Sequence, residues 1–264
     1  MARFYSLFSG SKGNASLITA NGKGLLIDAG VSCRQLCGSL AKRDFDLSQL
    51  EGIFITHTHT DHIQGLRVLC KKLNTKVYGS PDTMETLLRN GHITETQAGG
   101  TIPEKGLALH DFVVEAFPTE HDAQGSCGYR ITTSDERKCA VCTDLGIVTD
   151  TVHTALSGCD LVLLESNYDA NMLRNGPYPA YLKARIAGKQ GHLSNKECAD
   201  EAVRLVREGT TRLVLGHLSQ ENNLPRLAEN AVQTQLLTEG GCQRDKDYLL
   251  YVAEQTGIKD TVIF

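Results

Sequence analysis

The segment Ile53-Phe54-Ile55-Thr56 runs straight into His57-Thr58-His59-Thr60-Asp61-His62, so an apolar stretch of strand length ends in three of the chain's nine histidines and an aspartate. A loop that leaves a buried strand holds its side chains on a rigid support. Imidazole nitrogens at about 2.1 Å and carboxylate oxygens at about 2.0–2.2 Å suit Zn²⁺ and related divalent ions. Alternate spacing lets His57 and His59 turn to one ion while Asp61 and His62 reach another, so the spacing favours a two-metal site. A histidine-rich surface loop is the plain alternative, but nothing structural asks for this spacing.

A site of that kind needs a scaffold, and the composition supplies one. With 264 residues, 41% hydrophobic, 22% charged and a net charge of −4, the chain has the proportions of a globular protein and is too apolar for disorder. Apolar runs such as Gly52–Ile55 and Leu161–Leu164 fall far short of the roughly 20 residues that span a bilayer. The start, Met1-Ala2-Arg3-Phe4-Tyr5-Ser6, has no apolar signal region, which points to the cytoplasm. Nine cysteines, an odd number in a chain too large to need staples, agree with a reducing compartment. Cys139 and Cys142 read as C-x-x-C but lie in a strand pattern, where residues three apart face opposite ways.

Strands are expected at Arg3–Phe8, Ala15–Thr19, Gly24–Asp28, Gly52–Thr56, Lys76–Tyr78, Phe112–Pro118, Ser126–Thr132, Lys138–Thr143, Leu161–Glu165, Arg212–Gly216 and Tyr248–Ala253. Helices are expected at Ser32–Arg43, Ile63–Leu73, Pro81–Asn90, Asp150–Leu156, Ser194–Arg207 and Pro225–Leu237. No linker, charge block or repeat breaks the chain, which reads as one α/β domain over residues 1–264. Pattern alone fits either two packed sheets covered by helices or one large mixed sheet.

The run His57-Thr-His59-Thr-Asp61-His62 is the H-x-H-x-D-H signature of the metallo-β-lactamase fold superfamily, and the chain resembles that family further. An aspartate follows an early strand in Leu25-Leu26-Ile27-Asp28-Ala29-Gly30, and His121, Asp144 and His217 follow in the family's order. The resemblance, from about Ser9 to about Ser219, implies a four-layer αββα sandwich with its site at one edge of the two sheets. It implies His57, His59 and His121 as ligands of a first metal, Asp61, His62 and His217 of a second, and Asp144 between them. Asp28 would orient a ligand histidine. The donors suit Zn or Mn, with Fe also compatible. His92, His110 and His153 fall outside every motif and read as surface residues. The Gly-rich Ser9-Gly10-Ser11-Lys12-Gly13-Asn14 lacks the Walker spacing; it reads as a hairpin turn bordering the metal pocket, with Ser11 and Asn14 as secondary contacts of that pocket.

Two later segments select a branch. Leu164-Glu165-Ser166-Asn167-Tyr168-Asp169 and Gly191-His192-Leu193-Ser194-Asn195-Lys196 resemble those of tRNase Z type phosphodiesterases, and with Ser9–Asn14 they are most similar to the YycJ/WalJ group of nuclease-like proteins. That resemblance implies a metal-dependent phosphodiesterase, a 5′-to-3′ exonuclease on DNA, using a hydroxide between two cations. Asp61 would hold the water, and His192, steadied by Glu165, would act at the phosphate. The alternatives are a carboxyl-ester, thioester or lactam hydrolase, a cyclic-phosphodiester hydrolase, and a binding protein without turnover. On an acidic chain, nucleic-acid contact requires a local patch. Arg174, Lys183, Arg185 and Lys189, interleaved with Tyr178 and Tyr181, form either such a patch or a plain solvated helix face.

Overall fold

Strands that are covered on both faces read as uninterrupted apolar runs, because neither face needs polar residues. Leu161 and Leu163 point into one buried cluster while Val162 and Leu164 point into another. Phe54 likewise faces the first of these clusters, whereas Ile53 and Ile55 face a third. Three cores separated by two sheets require four layers, helix–sheet–sheet–helix, and that is the architecture of the computed structural model, which describes residues 1–258 and 261–264.

The described strands are β1 (Arg3–Phe8), β2 (Ala15–Ala20), β3 (Lys23–Ile27), β4 (Leu50–Phe54), β5 (Val77–Gly79), β6 (Ala98–Thr101), β7 (Leu107–Ala108), β8 (Phe112–Pro118), β9 (Cys127–Thr133), β10 (Lys138–Cys142), β11 (Leu161–Glu165), β12 (Arg212–Gly216), β13 (Leu249–Val252) and β14 (Val262–Ile263). The helices are α1 (Cys33–Ala41), α2 (Thr60–Ile63), α3 (Leu66–Lys72), α4 (Pro81–Arg89), α5 (Asp150–Leu156), α6 (Ala170–Asn175), α7 (Ala180–Ile186), α8 (Asn195–Arg207) and α9 (Pro225–Thr238). One sheet has the order β14-β1-β2-β3-β4-β5-β6 and the other β13-β12-β11-β10-β9-β8-β7. In both, an antiparallel portion changes to a parallel one: β3, β4 and β5 run parallel, as do β10, β11, β12 and β13.

Phe4, Ile18, Ile27, Tyr129, Ile131 and Val214 fill the space between the sheets. Each such side chain, once buried, contributes roughly 1.5–3 kcal/mol. Leu36, Leu40, Leu66 and Leu87 of α1, α3 and α4 cover one outer face, and Leu156, Ala202, Val232 and Leu236 of α5, α8 and α9 cover the other. Cys139 lies between the sheets and Cys142 under the helices, on opposite faces of β10.

The elements depart from expectation where the chain turns toward the strand ends. The expected helix Ile63–Leu73 is two pieces, α2 and α3, because the Gly65 N–H donates to the Ala29 carbonyl (2.8 Å) and a side chain there would collide with the Val31 carbonyl oxygen. The strands expected to reach Asp28, Thr56 and Thr143 stop at Ile27, Phe54 and Cys142. Short edge strands β6, β7 and β14 and short helices α6 and α7 lie in segments that carry no sustained apolar period.

Candidate metal centre

Three of the parallel strands end in a residue with left-handed backbone: Asp28 (φ 61°) after β3, Asp144 (φ 60°) beyond β10 and His217 (φ 55°) after β12. Aspartate and histidine tolerate this region better than most non-glycine residues. Held there against about 1–3 kcal/mol of local cost, the three side chains turn off their sheets toward the His57–His62 loop that follows β4. Glu165, the last residue of β11, is fully buried behind them. His121 sits in the β8–β9 connection, and His192 lies two residues before Ser194. That serine caps α8 in a reciprocal capping box with Glu197, which fixes the chain just after His192.

Six of the nine histidines thereby form one continuous group. Ring centroids are 4.7 Å apart for His57–His59, 4.1 Å for His57–His62, 5.2 Å for His59–His121, 6.0 Å for His62–His217 and 5.3 Å for His192–His217. The ligating atoms of His57, His59 and His121 lie within 4.8 Å of one another, and so do those of Asp61, His62 and His217. Asp144 stands between the sets, with Oδ1 3.7 Å from His121 Nε2 and Oδ2 3.2 Å from His62 Nε2. The group opens to solvent mainly at His59, 37% exposed, and Asp61, 25% exposed.

The hydrogen bonds behind the rings decide which nitrogen faces inward. The Thr56 hydroxyl donates to Asp28 Oδ2 (2.9 Å), so toward His57 Nδ1 (3.1 Å) it accepts. His62 Nδ1 donates to Asp28 Oδ2 (2.8 Å), His121 Nδ1 to the Gly191 carbonyl (3.0 Å) and His217 Nδ1 to Glu165 Oε1 (2.7 Å). In all four rings the Nδ1 proton points outward and Nε2 is left for the centre of the group. Among the described residues, His57 Nε2 and His217 Nε2 are buried with no hydrogen-bond partner. Unpartnered buried polar atoms cost about 1–3 kcal/mol each, and convergent imidazole nitrogens and carboxylate oxygens are a divalent-cation donor set. The residues fit a bound metal.

Electrostatics follow the same division. Burial and the positive field of His62 push His57 well below the usual imidazole range, so it stays neutral. Burial would lower His62, but Asp144 and Asp28 outweigh it and raise it to about 10. His217 is likewise raised against burial, by Asp144, Asp61 and Glu165. Burial would raise the Asp144 and Glu165 carboxyls, and the surrounding histidines instead hold both below their ordinary values. With no cation, protons on His62 and His217 offset the buried carboxylates.

Glu165 does more than steady His192. Its Oε1 accepts from Nδ1 of both His192 (2.8 Å) and His217 (2.7 Å), and its Oε2 from the N–H groups of Leu145 (3.1 Å) and Leu193 (3.3 Å). Burial would lower His192, and the Glu165 charge raises it instead. Sequence reasoning also missed Asp122, whose Oδ1 is 3.4 Å from His121 Nε2 and whose Oδ2 accepts from Arg185 Nε (2.5 Å); one loop acid beside a histidine gives no signal of its own. The Ser9–Asn14 loop touches the group through Ser9, which accepts the His217 N–H (2.8 Å), and Asn14, whose Nδ2 is 3.0 Å from His62 Nε2. Ser11 is exposed. His92 and His110 lie outside the group. His153, expected at the surface, is mostly covered: its Nδ1 donates to Glu201 Oε1 (2.7 Å), which ties α5 to α8.

A family profile described as a beta-lactamase superfamily domain matches residues 24–218. The chain belongs to this superfamily. Its similar relatives within it include the exodeoxyribonuclease WalJ of Streptococcus pneumoniae, 34% identical over 89% of this chain and 88% of the relative, and the exodeoxyribonuclease YycJ of Bacillus anthracis, 35% identical over 90% of each. Among solved structures, the metallo-beta-lactamase fold protein YhfI of Bacillus subtilis superposes with a TM-score of 0.71 over 99% of this chain and 98% of its own, at 17% identity. As a beta-lactamase superfamily member of the YycJ/WalJ type, the chain carries the superfamily's His/Asp cluster for divalent metal ions. No helix of the described residues is long and apolar enough to cross a membrane.

Proposed function

We propose that the protein is a metal-dependent phosphodiesterase that degrades DNA from the 5′ end. The observation that carries this reading is the common orientation of His57, His62, His121 and His217, with Nδ1 spent on the protein and Nε2 left for the centre of the group between Asp61 and Asp144, beside a histidine, His192, whose pKa the Glu165 charge raises. Likeness to two exodeoxyribonucleases over nine-tenths of the chain supports DNA as the substrate, and the 5′-to-3′ direction is what the YycJ/WalJ resemblance implies.

In this reading His57, His59 and His121 would hold one cation and Asp61, His62 and His217 a second, with Asp144 standing between the two sets. Zn²⁺ or Mn²⁺ fits these donors, and Fe is compatible. Bound cations would bring the pKa of water toward about 7 and neutralise charge on the phosphoryl oxygens. Asp61, at the open side of the cluster, accepts a hydrogen bond from the attacking water and aligns it. His192 points its Nδ1–H at Glu165, which leaves Nε2–H for the oxygen that leaves phosphorus. As the water oxygen bonds to phosphorus it gives a proton to Asp61, the P–O bond to the departing oxygen breaks, and that oxygen leaves with the proton from His192.

The test is digestion of 5′-phosphorylated, 3′-labelled single- and double-stranded DNA with added Mn²⁺ or Zn²⁺, beside an Asp144→Ala control. Progressive shortening from the 5′ end, lost in the control, is the expected result. Hydrolysis of a thioester or lactam without action on DNA or on bis(p-nitrophenyl) phosphate overturns it.

A further inference from the structure

α7 contributes no buried side chain to any core, and a helix of its length has little stability of its own. What holds it is the cluster. Arg185 Nε donates to Asp122, the His192 N–H donates to the Ile186 carbonyl (2.9 Å), and the Gly191 carbonyl accepts from His121. The C-terminal end of α7 is therefore pinned at the rim beside His121 and His59, while its outer surface faces solvent.

That surface has the wrong character for an idle face. Residues 170–190 contain Arg174, Lys183, Arg185 and Lys189 and no acidic residue, on a chain of net charge −4. Lys183 Nζ donates to the Arg174 carbonyl (2.7 Å) and Arg185 is taken by Asp122. Among the described residues, Arg174 and Lys189 have no acidic partner. Tyr181 stands one helical turn before Arg185 on the same side of α7 and is 76% exposed. Below the helix lies a hollow of 540 Å³, lined by Glu120, Asp122, Arg185, Gly188 and Lys189. Both of its carboxylates come from the β8–β9 connection, and the Asp122 charge is offset by Arg185.

We propose that the surface running from Arg174 of α6 over α7 to Lys189 is the landing surface for single-stranded DNA, with Arg174 and Lys189 against backbone phosphates and Tyr181 stacked on a base. The choice of ligand rests on the nuclease reading above. Backbone charge pairing and aromatic stacking are the two sequence-independent ways of gripping a single strand, and here the aromatic ring sits one turn from Arg185, whose partner Asp122 lies beside His121. A strand laid along α7 runs past Asp122 to the open side at His59.

Binding separates this proposal from catalysis. Anisotropy of a labelled, 5′-phosphorylated dodecathymidylate is read with the metal-free protein in EDTA. Tyr181→Ala is expected to weaken binding about fivefold or more. The double variant Arg174→Glu/Lys189→Glu is expected to weaken it about tenfold or more and to flatten the dependence on salt. Lys105→Glu, a single charge reversal elsewhere on the chain, leaves the affinity in place. Absence of binding by the wild type, indifference to the α7 variants, or an equal loss in Lys105→Glu overturns the proposal. Binding through α7 without shortening of DNA by the metal-loaded protein sinks the exonuclease reading and keeps the surface. Cleavage with binding indifferent to α7 does the reverse.

Discussion

The two sheets support the cluster through two buried carboxylates of different reach. Asp28, at the end of β3, accepts from the Thr56 N–H, the Thr56 hydroxyl and a single ring, His62. Glu165, at the end of β11, accepts from two rings, His192 and His217, and from two backbone N–H groups. One carboxylate therefore serves a single member of the proposed metal set, and the other couples a member of that set to the group proposed to handle the proton. A change at Glu165 reaches metal holding and chemistry together, whereas a change at Asp28 reaches metal holding alone.

The largest effect should come from Glu165→Gln. The amide keeps the shape but loses the charge that raises His192 and His217, and its NH₂ meets Leu145 or Leu193 N–H groups that need an acceptor. Steady-state hydrolysis of labelled DNA should fall by about 10³-fold in kcat, with metal content also reduced. Next is His192→Ala, expected to lower kcat by about 10²-fold while the metal content measured by plasma spectrometry stays at the wild-type level. Full kcat in His192→Ala removes that residue from the mechanism, and a Glu165→Gln variant with wild-type metal content breaks the comparison from the other side.

How far the sequence revealed this arrangement follows the same division. The N-terminal sheet offers its donors as one contiguous run, His57 to His62, so residue type and spacing suffice. The C-terminal sheet offers His121, Asp144, Glu165, His192 and His217 singly, and only their order along the chain marks them. That Glu165 serves His217 as well as His192 depends on β11 and β12 pairing in register, Glu165 opposite Gly216, which no linear pattern encodes. The four layers are hinted at by the unbroken apolar runs of β4 and β11, since both faces of each strand are covered. β3 and β10 each end one residue earlier than their apolar pattern suggests, and Asp28 and Asp144 just beyond them leave the ladder in left-handed conformation. The His153–Glu201 contact was invisible because it joins two helices far apart in sequence.

The smaller half of the comparison is sharpened by Asp28→Asn. With the orienting carboxylate gone, affinity for Mn²⁺ or Zn²⁺ in a competition titration should weaken about 10–100-fold, while kcat at saturating metal stays near wild type. A fall in kcat that excess metal does not restore would give Asp28 the same reach as Glu165.

Proton release gives the finest distinction. His62, raised to about 10, carries a proton near pH 7.5 when no cation is present, and ligation requires the neutral ring. Loading with Mn²⁺ in weak buffer should therefore release about one proton or more per chain, and affinity should rise with pH until His62 loses its proton unaided. Burial favours neutral His62, with Asp144 and then Asp28 opposing it, so Asp28→Asn lowers the ring's pKa and reduces the release at the same pH. His217 is held charged by Asp144, Asp61 and Glu165 rather than by Asp28, so its share of the release persists in that variant and declines in Glu165→Gln. Equal release from wild type and Asp28→Asn would place the displaced proton on the Glu165 side of the cluster and assign the linkage to His217.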